Sequence, residues 1–178
     1  MEPEQGAPWI DLIEKLTAAH DLSTFQSGKA LLDDWLRRFA LINQQSDTAR
    51  TFVLLHQNKV CGYYSLAAGS VARDETPARI AKGLAKHPVS VILLARLAVD
   101  RAHQGKGIGR SLLADALVRS VAASQTIGAR AILVHAIDEE AASFYRKFGF
   151  EESPLNEKQL FLLMKDVRAS LRKSGRHE

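Results

Sequence analysis

The 178-residue chain is 46% apolar and 25% charged, with a formal net charge of +4. These are globular proportions, so residues 1–178 are expected to form a single domain rather than a disordered tail, and the lone Cys61 excludes an intramolecular disulfide. No apolar run reaches membrane length, and residues 1–5 carry two glutamates and a proline where a secretory signal would differ, so a cytoplasmic protein without membrane contact is expected.

Residues 1–6 read as a frayed end. Residues 9–16 hold Trp9, Ile10, Leu12, Ile13 and Leu16, enough for a short helix or strand. Residues 21–28 are turn-like. Over residues 29–43, Leu31, Leu32, Trp35, Leu36, Phe39 and Ile42 recur every three or four positions. That predicts one helix, with Asp34, Arg37 and Arg38 off its apolar stripe. Residues 51–56 and 60–66 read as strands joined through Gln57-Asn58-Lys59 in a hairpin. Cys61 falls in the second strand, which makes it a buried, inert thiol. Residues 70–88 are polar, punctuated by Pro77 and Pro88, with a helix across 78–85.

Residues 91–99 are almost wholly apolar apart from Arg96, the pattern of a strand buried on both faces. A glycine-rich turn follows at 104–110. Ser111, Leu112, Leu113, Ala116, Leu117 and Val121 then keep a helical period, and Gly128 ends that helical region. Residues 131–136 are the next strand. Residues 139–148 are the next helix, with Asp138 as N-cap. Phe150 and residues 160–164 supply the last strands, and 167–178 form a short basic end. The order helix, hairpin, strand, helix, strand, helix, strand implies an α/β (mixed α+β) fold: one mixed sheet covered by helices.

The turn Gln104-Gly105-Lys106-Gly107-Ile108-Gly109-Arg110 carries the first chemical signal. Glycines at alternate positions let the backbone approach a ligand without a Cβ in the way. Opening into a helix, the turn presents free N–H groups and the positive dipole end, so a phosphate or pyrophosphate is the expected ligand. The Walker pattern fails because the turn ends Gly-Ile-Gly-Arg, and the dinucleotide fingerprint fails because Arg110 replaces its last glycine. An ordinary strand-to-helix turn would also account for the loop taken alone.

Gln104, Gly107 and Gly109 after a strand ending Leu97-Ala98-Val99-Asp100 resemble the coenzyme A pyrophosphate loop of the GNAT acetyltransferase superfamily. The segment Phe144-Tyr145-Arg146-Lys147-Phe148-Gly149-Phe150 resembles the second hallmark of that family. The resemblance implies a central twisted mixed sheet whose middle strands splay apart, flanked by helices. It implies acetyl-CoA as acetyl donor, with the pyrophosphate on the backbone amides of Gln104, Gly105, Lys106, Gly107, Ile108, Gly109 and Arg110. The pantetheine arm would lie between Leu97, Ala98, Val99 and Ala136. The amides of Leu97–Val99 would polarise the thioester carbonyl as an oxyanion hole does. Phe144 and Asp138 would lie beside the arm, although the family usually carries Asn where Asp138 stands. Tyr145 would be the general acid for the leaving thiolate; the alternative is a core aromatic with its hydroxyl at the surface.

No general base is evident. Glu139 and Glu140 suit the first helical turn, where they complement the dipole. His103 reads as solvated and His135 as a core or edge residue. An α-amine with a pKa of about 8 is partly neutral already, so no dedicated base is required. No cluster has metal-ligand spacing, and no serine has a His–Asp set around it.

The N-terminal half narrows the resemblance. The ordered set runs from His20-Asp21-Leu22-Ser23 and Phe25-Gln26-Ser27-Gly28 through Leu32-Asp33-Asp34-Trp35-Leu36. Asn43-Gln44, Thr48-Ala49-Arg50-Thr51-Phe52-Val53, Gly62-Tyr63-Tyr64-Ser65-Leu66 and Arg96-Leu97-Ala98-Val99-Asp100 complete it. Together they resemble the GNAT toxins of bacterial type II toxin–antitoxin systems, over residues 16–167. The resemblance implies acetylation of the α-amino group of aminoacyl-tRNA and a block of translation. It also implies a homodimer, a ribbon–helix–helix antitoxin, and operator DNA contacted only through the toxin–antitoxin complex, which represses its own operon.

A tRNA substrate calls for cations facing phosphates. Arg37, Arg38, Arg50, Arg79 and Arg96 are the candidates, with Arg73, Lys82, Lys86 and the basic end beside them. Each is also an ordinary surface charge or ion-pair partner; Arg37 could pair with Asp33 or Asp34. Arg96, in an apolar strand, requires a partner or an open cleft. Two other readings stay open: acetylation of a small amine or a protein N-terminus, and a non-catalytic assembly or DNA-binding component.

Overall fold

The computed structural model describes residues 13–175. Of the apolar segment 9–16, the described part forms strand β1 (Ile13–Lys15); the expected frayed end at 1–6 lies outside the described residues. The chain forms two compact units, one built from residues up to Leu66 with Arg96–Ala116, the other from Ala67–Ala95 with Leu117 onward. Among the described residues seven strands take the order β1-β2-β3-β4-β5-β7-β6.

In the first unit the predicted long helix is two helices, α1 (Ala30–Arg38) and α2 (Ala40–Gln45), broken at Phe39, whose φ of −123° leaves the helical region. The apolar stripe is correspondingly divided. Trp35, Leu36 and Ala40 are buried, while Leu31, Phe39 and Ile42 are exposed at 75%, 46% and 59%. A straight helix would have followed the stripe; the break gives the core place to Ala40.

β2 (Arg50–His56) pairs antiparallel with β3 (Lys59–Val71) from Arg50↔Leu66 to His56↔Lys59. Gln57 and Asn58 both have positive φ, 50° and 63°, so the loop is the two-residue mirror-image turn that matches strand twist. Leu16, Phe25, Trp35, Leu36, Val53, Val60, Tyr63 and Ala98 pack as one apolar cluster. Gly62 is the tight point: a Cβ there would come within 2.8 Å of Leu112 Cδ1 and 3.2 Å of Ile108 Cγ2. Its missing side chain lets the start of α4 (Ile108–Ser124) lie directly on β3. Cys61 is buried and donates to the Leu54 carbonyl at 3.3 Å; burial pushes its thiol up to about 11, an inert cysteine as expected.

In the second unit α3 (Ala78–Ala81) is one turn only, half the predicted length, because Lys82 turns extended and Gly83 has a φ of 78°. β4 (Val89–Val99), of which the residues up to Ala95 belong to this unit, pairs parallel with β5 (Ala131–His135) from Val91↔Ala131 to Leu94↔Val134. β4 runs five residues beyond the last of these pairs, whereas β5 ends one residue beyond it. It is not buried on both faces, since Ile92, Leu93, Leu97 and Val99 are half-buried. α4 ends at Ser124, short of Gly128.

α5 (Glu139–Lys147) follows, then β6 (Glu151–Ser153) and β7 (Asn156–Leu163), which is longer than predicted. Met164 starts a helix, α6 (Met164–Ser174), instead of ending a strand. The basic end to residue 174 is therefore amphipathic: Met164 and Val167 are buried while Arg168, Arg172 and Lys173 are exposed. Val71, Ile80, Val89, Val91, Leu133, Phe161 and Leu163 form the core of this unit.

Candidate active site

The glycine-rich loop is built from the first unit outward. β4 ends at Val99, and Asp100 caps a short 3-10 turn, Arg101–His103, accepting from the Ala102 N–H at 3.0 Å. Its second oxygen accepts from the Gln26 N–H at 3.0 Å, and the Arg101 N–H donates back to the Gln26 carbonyl at 2.8 Å. The Gln104 amide donates to the carbonyls of Ser27 and Val99 at 2.8 and 3.0 Å. Segment 25–28 is thereby laced to the entrance of the loop.

That segment is itself held by buried Asp33, which accepts from the Ser27 N–H at 3.0 Å and the Ser27 hydroxyl at 2.6 Å. Sequence reasoning missed Asp100 and Asp33 as supports. An Asp directly after a buried strand, two residues before an unpaired N–H, was the available signal for Asp100.

Gly105 and Gly107 have φ of 77° and 80°, and neither would meet an atom within 4 Å if it carried a Cβ. The glycines are thus required by backbone conformation, not by crowding within the protein. The first N–H of α4 to bond back is that of Ser111, to the Gly107 carbonyl at 3.1 Å. The amides of Ile108, Gly109 and Arg110 precede it, which is how a 17-residue helix offers donors and its positive end to an anion. Lys106 and Arg110 are exposed on the same turn. These groups fit a pyrophosphate. Gly107→Ala should cost about 1–2 kcal/mol of strain in the left-handed region or shift the loop. Calorimetry with acetyl-CoA should show weaker binding, and unchanged affinity would refute the role given to this turn.

Leu97 and Val99 are half-buried and Ala98 is buried. Arg96 forms no ion pair among the described residues; the partner that its sequence context required is an aromatic face. Its guanidinium lies 4.1 Å from the centroid of the Trp35 ring, which stacks on Tyr63 at 6.1 Å and 13°. Tyr63 donates to the Leu32 carbonyl at 2.7 Å and meets Phe25 edge-on. Burial lowers the Arg96 pKa, Tyr63 opposes that shift, and the ring face supplies the attraction.

In the second unit Asp138 caps α5, accepting from the Ala141 N–H at 2.9 Å, as predicted. That commitment sets its carboxylate to work on the helix. Tyr145 is 5% exposed and ringed by Phe144 at 5.1 Å and Phe150 at 5.4 Å. Burial alone pushes its hydroxyl well above the usual phenol range, so it stays protonated at neutral pH. Glu139 does more than face the dipole: it forms an ion pair with Arg146 at 2.6 Å, which lowers the Glu139 pKa.

The other candidates separate by their partners. Arg37 donates to the Phe25 carbonyl at 2.6 Å and pairs with Asp34, not Asp33, at 3.4 Å. Arg38 lies 5.7 Å from the Phe39 ring, and Arg50 bonds Asp47 and the Gln44 carbonyl. Arg79 is bound at both ends, by Asp166 at 2.5 Å and Glu151 at 3.1 Å, which counts against it as a phosphate contact. His103 is not solvated as expected: its Nδ1 is buried without a hydrogen-bond partner among the described residues. His135 is exposed. No cluster of potential metal ligands occurs among the described residues, and none of their helices is long and apolar enough to cross a membrane.

A family model described as an acetyltransferase (GNAT) domain matches residues 47–152. A tRNA-acetylating toxin of Mycobacterium tuberculosis is 49% identical over 155 residues, 87% of this chain and 93% of that protein. Among solved structures, AtaT complexed with acetyl-methionyl-tRNAfMet is 30% identical, with a TM-score of 0.82, covering 89% of this chain and 98% of that one. A mutant AtaT toxin bound to the C-terminus of the antitoxin AtaR and acetyl-CoA is 29% identical, with a TM-score of 0.75, covering 88% and 95%.

Proposed function

The chain belongs to the GNAT acetyltransferase family, and we propose that it is the toxin of a toxin–antitoxin pair, acetylating the α-amino group of aminoacyl-tRNA in the cytoplasm and so blocking translation. The observation that carries this reading is the 49% identity to a tRNA-acetylating toxin across nearly the full length of both chains. Acetyl-CoA is the donor, as it is the bound ligand of the related AtaT complex. An antitoxin of the ribbon–helix–helix type neutralises the enzyme, and the pair represses its own operon through operator DNA. The family match runs through parts of both compact units, which supports one GNAT domain, and the chain works as a homodimer, as its resemblance to GNAT toxins implies.

The chemistry follows from the groups already described. The amides of residues 104–110, led by the α4 terminus, hold the pyrophosphate, and those of Leu97–Val99 polarise the thioester carbonyl. The neutral amine of the charged tRNA bonds to the acetyl carbon, and the carbon–sulfur bond breaks. The Tyr145 proton goes to the departing sulfur, and the amine loses its own to water. A phenol whose pKa is raised by burial remains a donor throughout the working pH range.

The direct test is transfer of labelled acetyl from acetyl-CoA to bulk charged tRNA, with uncharged tRNA as control. Label on charged tRNA alone is the expected result. Label on neither, with a clear thermal shift from acetyl-CoA, would instead support acetylation of a small amine or a protein N-terminus.

A further inference from the structure

We propose that an open groove of about 1130 Å³ in the second unit, walled by residues 72–88, binds the phosphate backbone of the charged tRNA through Arg73, Lys82 and Lys86. The inference rests on the aminoacyl-tRNA reading above and assigns that substrate a second contact surface, on a segment with no part in the acetyl transfer.

The sequence offered cations in both halves without ranking them, and their partners now do so. Arg79 lines the groove but is neutralised by Asp166 and Glu151. Lys82 and Lys86 also line it, are exposed, and form no ion pair among the described residues. Arg73 completes the wall, and its Nε is buried without a hydrogen-bond partner among the described residues.

Against these three uncommitted charges the groove carries one carboxylate not held by an arginine, Asp74. The backbone beneath Lys82 is braced, because Arg130 donates to the carbonyls of Ile80 and Lys82 at 3.1 and 3.4 Å. Lys82 therefore projects from a positioned turn.

The shape favours a polyanion over a peptide. Strand addition requires an open strand edge, and segment 72–88 offers only a 3-10 turn (Arg73–Glu75) and the single turn of α3. The rest of the lining is alanine and proline with Thr76 and His87, and it adds no further carboxylate to repel a phosphate. Lysines acting as point charges on phosphates give affinity without sequence reading, which suits an enzyme that finds its specificity at the aminoacyl end.

The test uses the full chain with Lys82→Glu and Lys86→Glu together, and Lys15→Glu with Lys59→Glu as a control of equal charge change. Acetyl transfer to bulk charged tRNA is measured from about 50 to 300 mM salt, and acetyl-CoA affinity by calorimetry. The expected result is a KM for charged tRNA raised at least about tenfold at low salt, with kcat and acetyl-CoA affinity unchanged. The slope of log kcat/KM against log salt should become shallower by about 1.5, since each phosphate contact contributes roughly 0.7–0.9. Lys82→Ala with Lys86→Ala should give the same change in slope with a smaller rise in KM.

Unchanged KM and slope in the groove variants would overturn the proposal. So would an equal loss in the control pair, which would mark a field of the whole molecule instead of a site. Absence of transfer by the wild-type protein would be seen before any variant is compared, and would retire the aminoacyl-tRNA reading together with the groove.

Discussion

Tyr145→Phe is expected to lower acetyl transfer by at least about a hundredfold while leaving the fold and acetyl-CoA binding intact. General acid catalysis by a positioned side chain contributes about 10²–10⁴-fold, and the substitution removes one oxygen only. The ring keeps its packing against Phe144 and Phe150. The lost hydroxyl is one for which no hydrogen bond lowers the pKa; burial alone sets it, so deletion should not destabilise the fold.

The pH profile separates the acid from the nucleophile. The wild-type rate should rise as the substrate amine deprotonates, through a pKa of about 8, and then stay level. No alkaline fall belongs to Tyr145, because its raised pKa keeps the proton in place well beyond that range. Initial rates from about pH 6 to 9.5, alongside calorimetry with acetyl-CoA, make the check. Wild-type rates in the variant would remove Tyr145 from the mechanism.

The second large effect lies in a residue that touches no reacting atom. Asp100→Ala should cost about 2–3 kcal/mol and lower the melting temperature by about 5–10 °C. The Asp100 side chain is 16% exposed and accepts from two backbone N–H groups 76 residues apart in sequence, Gln26 and Ala102. Without it both donors lose a charged acceptor, and the 3-10 turn feeding Gln104 loses its cap. Acetyl-CoA should then bind about tenfold more weakly, a loss of about 1.4 kcal/mol. Asp100→Asn keeps one carbonyl acceptor and should fall between. A scanning calorimetry trace for Asp100→Ala that overlays the wild type, with unchanged acetyl-CoA affinity, would show that the loop is held by Gln104 alone.

The chemistry of this protein was readable where it depends on local backbone and short spacing. The glycines at 105 and 107 are demanded by positive φ, and Asp138 caps α5 through a contact three residues away. Both follow rules that act within one turn, so the sequence determined them, along with the hairpin at Gln57-Asn58 and the inert Cys61. The resemblance to GNAT toxins was legible for another reason: it rests on an ordered set of short segments from His20 to Asp100 together with the glycine-rich loop.

Tertiary structure decided what depends on distant partners. Periodicity over residues 29–43 could not reveal the break at Phe39, because the choice between Phe39 and Ala40 is made by the core they meet. Charge alone did not distinguish Arg79 from Lys82: one meets two carboxylates more than 70 residues away, the other none among the described residues. Arg96 took a ring face from Trp35, 61 residues earlier, where sequence context asked for a partner or an open cleft without naming which. Asp100 became a clasp because the fold returns Gln26 to it. Long-range pairing of polar groups is set by which segments the apolar core draws together, and no sequence window contains both partners.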